Sequence, residues 1–468
     1  MQIILAGYNV DTEVLEELKA NSNSRQDVTP ETLSASYARI SRDPRPINEL
    51  RKIARQEVEK ARKSNSAIIF KMGHHSIAEH AVFNFDLLEV SRLAMEEIEK
   101  FRLCAYTEKS QRYQKLEDNY LIPEEIKGSD LEKVFVDTIN KQNAFYQEMV
   151  GKGIEPEDAR YITSLATLGQ VGQTINARNL EFLFRRFASN PLAEVRQIGS
   201  QMYKLVEKIA PSIILFTQAN EFDEKTYLEL RTKNGELGKK SGKGKEEVVL
   251  ADSSKDADNK LLAALLHSST NLPYKKCLSK AKKMTELEKK ELIKTSFKYA
   301  EFYDRPLREF EYVDLTYDLI VSAACFGQLK RHRMATITVQ PYEPKLGVTI
   351  PDGVKKTGME DQFNQIINIT NKAFAKIAIK NSLAAQYVLT NAHRRRVLIK
   401  TNARELYHIS RLREDKHAQW DIQQISAKMT AKAKEVMPLS MMLIGGKDRY
   451  PEIFESVFGK KPRVLPEF

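Results

Sequence analysis

The chain has 468 residues, 42% hydrophobic and 29% charged, a composition that fills a core and excludes disorder, collagen-like repeats and a disulfide scaffold as the main architecture. Its 74 Lys and Arg outnumber 63 Asp and Glu to leave +11, but 18 basic and 10 acidic residues fall between Lys225 and Ala300, so the remainder is nearly balanced. No apolar run nears the roughly 18–20 residues of a membrane span, the start MQIILAGYNVDTEVLEEL turns acidic too early for a signal peptide, and Cys104, Cys277 and Cys325 lack metal or redox spacing. A cytoplasmic protein without membrane contact is expected.

Along the chain, Ile47, Leu50, Ile53, Ala54 and Val58 recur at helical spacing and predict one helix over 44–63. Gly73-His74-His75-Ser76-Ile77-Ala78-Glu79-His80 lacks the His-Glu-x-x-His spacing that puts two ligands on one helix face, so a polar pocket wall is expected rather than a metal site. Residues 81–88, AVFNFDLL, alternate apolar and polar and predict a strand, with a counterpart at 313–320. Between Tyr106 and Tyr113 the chain offers Glu108, Ser110, Gln111 and Arg112 in an expected loop, an inventory suited to a sugar phosphate, though a plain surface loop has a similar look. Ser189-Asn190-Pro191 predicts a cap and first turn of a helix.

Residues 231–247, rich in Lys and Gly with one leucine, predict a mobile linker; a lysine-rich tether for RNA or DNA is the functional alternative. Further on, Gln328 to Arg333 follow the apolar run 319–326, and three cations with a histidine leaving a buried element favour an anion such as a phosphate. An element end snorkelling into water is the other reading. Arg394-Arg395-Arg396 predicts a solvated face. Arg404 and His408, four apart, share a helix face. Glu414-Asp415-Lys416 predicts a break, with Asp415 capping a new helix from Lys416, which lets Arg413 reach into a cleft; Ile422, Ile425 and Met429 then predict a helix over 421–436.

Lys100-Phe101-Arg102 and Asn176-Ala177-Arg178 are answered, at similar separation, by Arg331-His332-Arg333 and Asn402-Ala403-Arg404. The chain reads as a tandem duplication, with copies at 1–222 and 248–468, a linker at 223–247, and each copy α+β.

Taken together these motifs resemble the flavin-dependent thymidylate synthases, whose chains are about half this length and share active sites between subunits of a homotetramer. The resemblance runs once through each half and implies two tandem domains of that fold forming a pseudo-dimer, with chains pairing as a homodimer into a pseudo-tetramer. The losses are complementary. The first copy keeps Gly73-His74-x-Ser76-x-x-Glu79-His80, Glu108, Ser110, Gln111, Arg112 and Arg160, but has Lys100-Phe101-Arg102 for Arg-His-Arg and Phe187 for the catalytic arginine. The second keeps Gln328, Arg331, His332, Arg333, Asn402, Arg404, His408, Arg413 and His417-Ala418-Gln419-Trp420, but has Pro341, Glu343 and Gln386 at the nucleotide positions.

The resemblance implies one live composite site. Gln328, Arg331, Glu108, Ser110, Gln111, Arg112 and Arg160 would hold dUMP. Ser76, Glu108, Arg331, His332, Arg333, Asn402, Arg404 and His408 would hold FAD, and Arg413 would be catalytic. NADPH and methylenetetrahydrofolate are the implied co-substrates, and no metal or cysteine is needed. The opposite combination, with Glu97, Lys100, Phe187, Pro341, Glu343 and Gln386, is expected to be dead. The rivals are a diverged flavoprotein of the same fold acting on another pyrimidine nucleotide, and a non-catalytic nucleic-acid-binding protein on a decayed scaffold.

Overall fold

In a computed structural model the described residues are 1–20, 28–112, 119–238 and 246–464. Tyr113 and residues 239–245 of the expected linker lie outside them. The described residues hold two four-stranded sheets among many helices, an α+β architecture.

One sheet is formed by β1 (Gln2–Tyr8), β2 (Val82–Ser91), β3 (Cys104–Glu108) and β4 (Leu168–Asn176), in the antiparallel order β1-β2-β4-β3. The other repeats that order with β5 (Val248–Ser253), β6 (Asp314–Ser322), β7 (Thr336–Val339) and β8 (Arg394–Asn402), as β5-β6-β8-β7. The alternation read at 81–88 places Phe83, Phe85 and Leu87 in the core and Asn84 and Asp86 outside. β2 is one residue longer than β6, and its register shifts between Leu88 and Val90, where Glu89 takes a positive φ of 55°.

Compactness divides the chain into Met1–Gly242 with Thr357–Leu389, and Lys243–Lys356 with Thr390–Phe468. This differs from the sequence boundaries because a stretch of the second copy builds into the first unit. The helix Glu360–Ala378 packs on the helix Asp130–Gly151, where buried Gln142 donates to Thr370 Oγ1 at 2.8 Å and Val388 O at 2.9 Å. Leu165 N and Ala166 N donate to Leu389 O and Tyr387 O at 2.8 and 3.1 Å. A buried amide and backbone groups left unpaired would be costly, so the segment is held where its partners are.

The single helix expected at 44–63 is two, Ile47–Gln56 and Val58–Ser66, broken at Glu57. Both pieces pack on the helix Glu31–Arg39, the second tied by Arg62 to Glu31 at 2.6 Å and by Asn65 to Glu31 O at 3.0 Å. The bend lets both do so. The expected linker is also partly structured: Glu221–Gly238 is helical. Asn220 caps it by accepting from Asp223 N at 2.8 Å, and Asp223 pairs with Arg185 and Arg186 at 3.1 and 2.8 Å, so its first turn is anchored although its length is exposed.

In the second unit Leu315, Tyr317, Leu319 and Val321 of β6 meet Val397 and Ile399 of β8 and Ile422, Ile425 and Met429 of the helix Trp420–Val436. That helix starts later than expected: Gln419, not Asp415, is its cap, accepting from Asp421 N and Ile422 N. Likewise Ser189-Asn190-Pro191 precedes its helix, which begins at Ala193, and Asn190 Oδ1 instead holds Leu192 N at 2.9 Å. Among the described residues no helix is long and apolar enough to cross a membrane.

Candidate active-site halves

β6 ends at Ser322, whose hydroxyl accepts from Cys325 N at 3.0 Å, capping the helix Ala323–Leu329, and donates to Asp421 at 2.6 Å. That helix is buried throughout and delivers Gln328, then Arg331, His332 and Arg333 on the following turn. Arg331 and Arg333 are exposed, while His332 between them is 2% exposed. β8 ends at Asn402, whose side chain accepts from Glu405 N at 2.8 Å and so starts the helix Ala403–Arg413. In the Asn-Ala-Arg motif the asparagine is thus a cap, as Asn176 is in the first copy, accepting from Asn179 N at 3.0 Å.

The helix stops at Arg413, next to the expected break. Glu414 turns inward to Thr430 and Ser426 at 2.5 and 3.3 Å, and Gly446 lies against it so closely that a Cβ there would sit 2.5 Å from Glu414 O. Arg413, now terminal, bends back to donate to His332 Nε2 at 2.9 Å, Gln328 Oε1 at 3.1 Å and Gln328 O at 3.3 Å. The His408 ring lies edge-on to His332 with centroids 5.9 Å apart. Burial, then the Arg413 cation, pulls the His332 pKa down to about 3, so its ring is neutral at ordinary pH. Burial also lowers His408 and raises Glu405.

Four predicted residues, Gln328, His332, His408 and Arg413, therefore meet in one cluster. Arg404 turns elsewhere despite sharing a helix face with His408: it donates to Pro306 O at 2.8 Å and pairs with Glu311 at 2.9 Å. Its first-copy counterpart Arg178 pairs with Glu79 at 2.5 Å, so this bridge from Asn-Ala-Arg to the preceding short 3₁₀ helix is repeated in both copies.

In the first copy Glu108 ends β3, so this part of the expected loop is strand. Glu108 pairs with buried Arg92 at 2.9 Å. Ser110 Oγ accepts from Arg112 N at 3.2 Å, and Arg112 pairs with Glu157 at 2.5 Å. Arg160 is buried and donates to Glu157 O at 3.2 Å. Burial holds its guanidinium below the usual arginine range, opposed by Tyr161 and reinforced by Arg92 and Arg112. Glu108 and Ser110 line a recess of about 510 Å³ with Asp86, Thr107, Lys109 and Gln170. Gln111 is half-buried. Ser76 is exposed on the 3₁₀ helix His75–His80, with His80 edge-on to Tyr37 at 4.5 Å and His75 to Phe70 at 6.0 Å. Among the described residues no three His, Cys, Asp or Glu side chains group as metal ligands.

Superposing the repeats through Val82 and Asn176 on one side and Asp314 and Asn402 on the other sets the corresponding residues of the two copies side by side. At the positions of His332, His408 and Arg413 the first copy has Phe101, Phe182 and Phe187. Phe101 packs edge-on against Phe182 and Phe187 at 5.6 and 5.8 Å, so aromatic packing stands where the second copy has two histidines and an arginine. At the positions of Ser110, Arg112 and Arg160 the second copy has Pro341, Glu343 and Gln386. Arg395, expected on a solvated face, is 8% exposed. It lies over the rings of Tyr342 and Phe326 at 4.2 and 4.9 Å, donating to Gln340 O at 2.7 Å. Gly169 occupies its place in the first copy, where even a Cβ would meet Met95 at 2.8 Å. Arg394 and Arg396 are half-buried and pair with Glu247 and Asp318, each at 3.2 Å.

Sequence reasoning missed Arg92, Glu405 and Phe182. Arg92 has Ala323 as its counterpart, so it is present in the copy that keeps the nucleotide loop and absent from the other; that covariation between halves was legible. Glu405 is three residues before His408 and shares its face, a step overlooked beside the four-residue spacing of Arg404.

The repeated sheet order and the corresponding motifs in the two halves describe a tandem duplication of one α+β domain. Residues 25–212 and 249–439 each match the family model described as thymidylate synthase complementing protein, Thy1, and the chain belongs to that family. A Chlamydia muridarum protein named UPF0159 protein is 25% identical over 422 residues, covering 81% of this chain and 79% of its own. A Clostridium tetani flavin-dependent thymidylate synthase is 30% identical over 209 residues, 40% of this chain and 82% of its own. A Pyrococcus furiosus protein of the same name is 32% identical over 153 residues, 30% of this chain and 60% of its own.

Proposed function

We propose that the protein is a flavin-dependent thymidylate synthase that methylates dUMP to dTMP with methylenetetrahydrofolate and NADPH, using one composite site drawn from both copies. The observation that carries this reading is the complementary retention of the halves. The second copy keeps His332, His408 and Arg413 where the first has three phenylalanines, and the first keeps Ser110, Arg112 and Arg160 where the second has Pro341, Glu343 and Gln386. Drift without selection would erode both halves alike.

In this reading Ser110, Gln111, Arg112 and Arg160 of the first copy, with Arg331 and Gln328 of the second, bind dUMP, guanidinium forks suiting a phosphate. Arg413 beside the uracil stabilises the ring ionised at N3, since an adjacent cation favours the anion. Electron density moved toward C5 then makes that carbon nucleophilic for the one-carbon unit.

The residues fit a flavin. His332 presents a buried Nδ1 with no hydrogen-bond partner, flanked by the exposed guanidiniums of Arg331 and Arg333. These three, with His408, Arg404 and Asn402 from the second copy and Ser76 and Glu108 from the first, would hold FAD, although the bonds of Arg404 to Pro306 and Glu311 must accommodate it. When bound, FAD reduced by NADPH supplies the hydride.

The test is to purify the full chain, look for flavin absorbance, and assay NADPH- and folate-dependent methylation of dUMP. A colourless protein that takes up no FAD and binds no dUMP refutes the proposal. Turnover of another pyrimidine nucleotide in place of dUMP would keep the fold's chemistry and replace the substrate.

A further inference from the structure

Glu405 belongs to none of the motifs read from the sequence and has no part in the reaction as proposed. It is the third residue of the helix Ala403–Arg413 and is 8% exposed. Its Oε1 lies 3.6 Å from His332 Nδ1, too far for a direct hydrogen bond but close for an electrostatic one. On the opposite edge of the ring, Nε2 accepts from Arg413 Nε at 2.9 Å.

An arginine Nε always carries its hydrogen, so His332 Nε2 must offer a lone pair, and the neutral ring must carry its proton on Nδ1, the nitrogen beside Glu405. A carboxylate near an N–H dipole stabilises that tautomer and strengthens the lone pair across the ring. Burial raises the Glu405 pKa, and the nearby His408, Arg305 and Arg404 act in the opposite direction, toward the carboxylate. The first copy changes these positions as a set: Phe101 for His332, Phe187 for Arg413, and for Glu405 an asparagine, Asn179, whose side chain donates to its own helix cap Asn176 at 2.8 Å.

We infer that Glu405 is a positioning residue: its carboxylate selects the Nδ1-protonated tautomer of His332 and through that ring fixes the guanidinium of Arg413. The inference rests on the proposed role of Arg413 only for its effect on turnover; the tautomer stands independently.

The experiment uses the full chain labelled with ¹⁵N-histidine, the His332 signals being assigned by their loss in His332→Gln. The wild type should show the Nδ1-protonated form. Glu405→Gln should convert it to a mixture or to the Nε2-protonated form, and should lower kcat for dUMP methylation at least tenfold with the dUMP KM within about threefold. Glu405→Asp should retain the tautomer and recover most of the rate. Should Glu405→Gln fail to fold, Glu405→Met supplies a neutral chain of similar length. An unchanged tautomer in the neutral variant overturns the inference, as does a changed tautomer with wild-type kcat. If the wild type neither binds nor turns over dUMP, the functional reading fails while the spectra still decide the role of Glu405.

Discussion

Positions 187 and 413 correspond in the two copies, yet their substitution should have opposite consequences. Phe187 is 2% exposed, packs on Phe101 with centroids 5.8 Å apart, and lies against Gly199, where a Cβ would meet its own Cβ at 2.8 Å. Phe187→Ala removes a whole buried ring, so the lost transfer energy and the cavity together should cost about 3–5 kcal/mol. For a unit of this size that lowers the melting temperature by roughly 10 °C. Arg413 is only half-buried, and its loss leaves His332 Nε2 and Gln328 Oε1 without their donor, although water can reach an opening at that depth. Arg413→Ala should therefore cost only about 1–2 kcal/mol while abolishing dUMP methylation. Urea denaturation followed by far-UV circular dichroism is the suitable assay. The chain has a single tryptophan, Trp420, which belongs to the unit containing Arg413 and would report Phe187 poorly. A cost below about 1 kcal/mol for Phe187→Ala would show that the Phe187 ring is not closely packed, and an active Arg413→Ala protein would remove the arginine from the chemistry.

Arg112→Ala and Arg160→Ala should each weaken dUMP binding, measured by calorimetry, at least tenfold, whereas Arg102→Ala, in the degenerate tripeptide, should leave it within about twofold; equal losses at all three would refute a single live site. Ser322→Ala removes both a helix cap and one hydrogen bond to buried Asp421, and should destabilise by about 1–3 kcal/mol without altering the KM for dUMP, as read by denaturation and kinetics. His332 and His393 are both buried with pKa values pulled down to about 3, in each case chiefly by burial. Unfolding raises them to about 6.5, so between about pH 6.5 and 3 the unfolded chain binds the extra protons. Stability is therefore fully present above pH 6.5 and falls with pH below it, by about 1.4 kcal/mol per unit for each histidine. His393→Asn should lower that slope in denaturation curves taken between pH 7 and 5, and an unchanged slope would mean that His393 is not buried neutral.

The repeat and the strands at 81–88 and 313–320 were legible because they depend on local patterns, alternation needing only a two-residue period. The helix starts expected at Ser189-Asn190-Pro191 and Asp415 fell short, because the caps that operate are set by the packing of the following helices. The complementary loss of motifs was equally visible, since it needs only two halves laid side by side. Long-range packing decided the rest. Whether 394–396 is a solvated face depends on Tyr342 and Phe326, far away in the chain, offering rings to Arg395. That residues 357–389 join the first unit depends on Gln142 finding its partners there. The bend that brings Arg413 onto His332 and Gln328 depends on Glu414 finding Thr430 and Gly446 leaving room for its backbone. Sequence determined which chemical groups each copy kept, because those are identities. Only the tertiary structure decided which of them are buried, which are neutral and which touch, because burial and contact are properties of distant residues brought together.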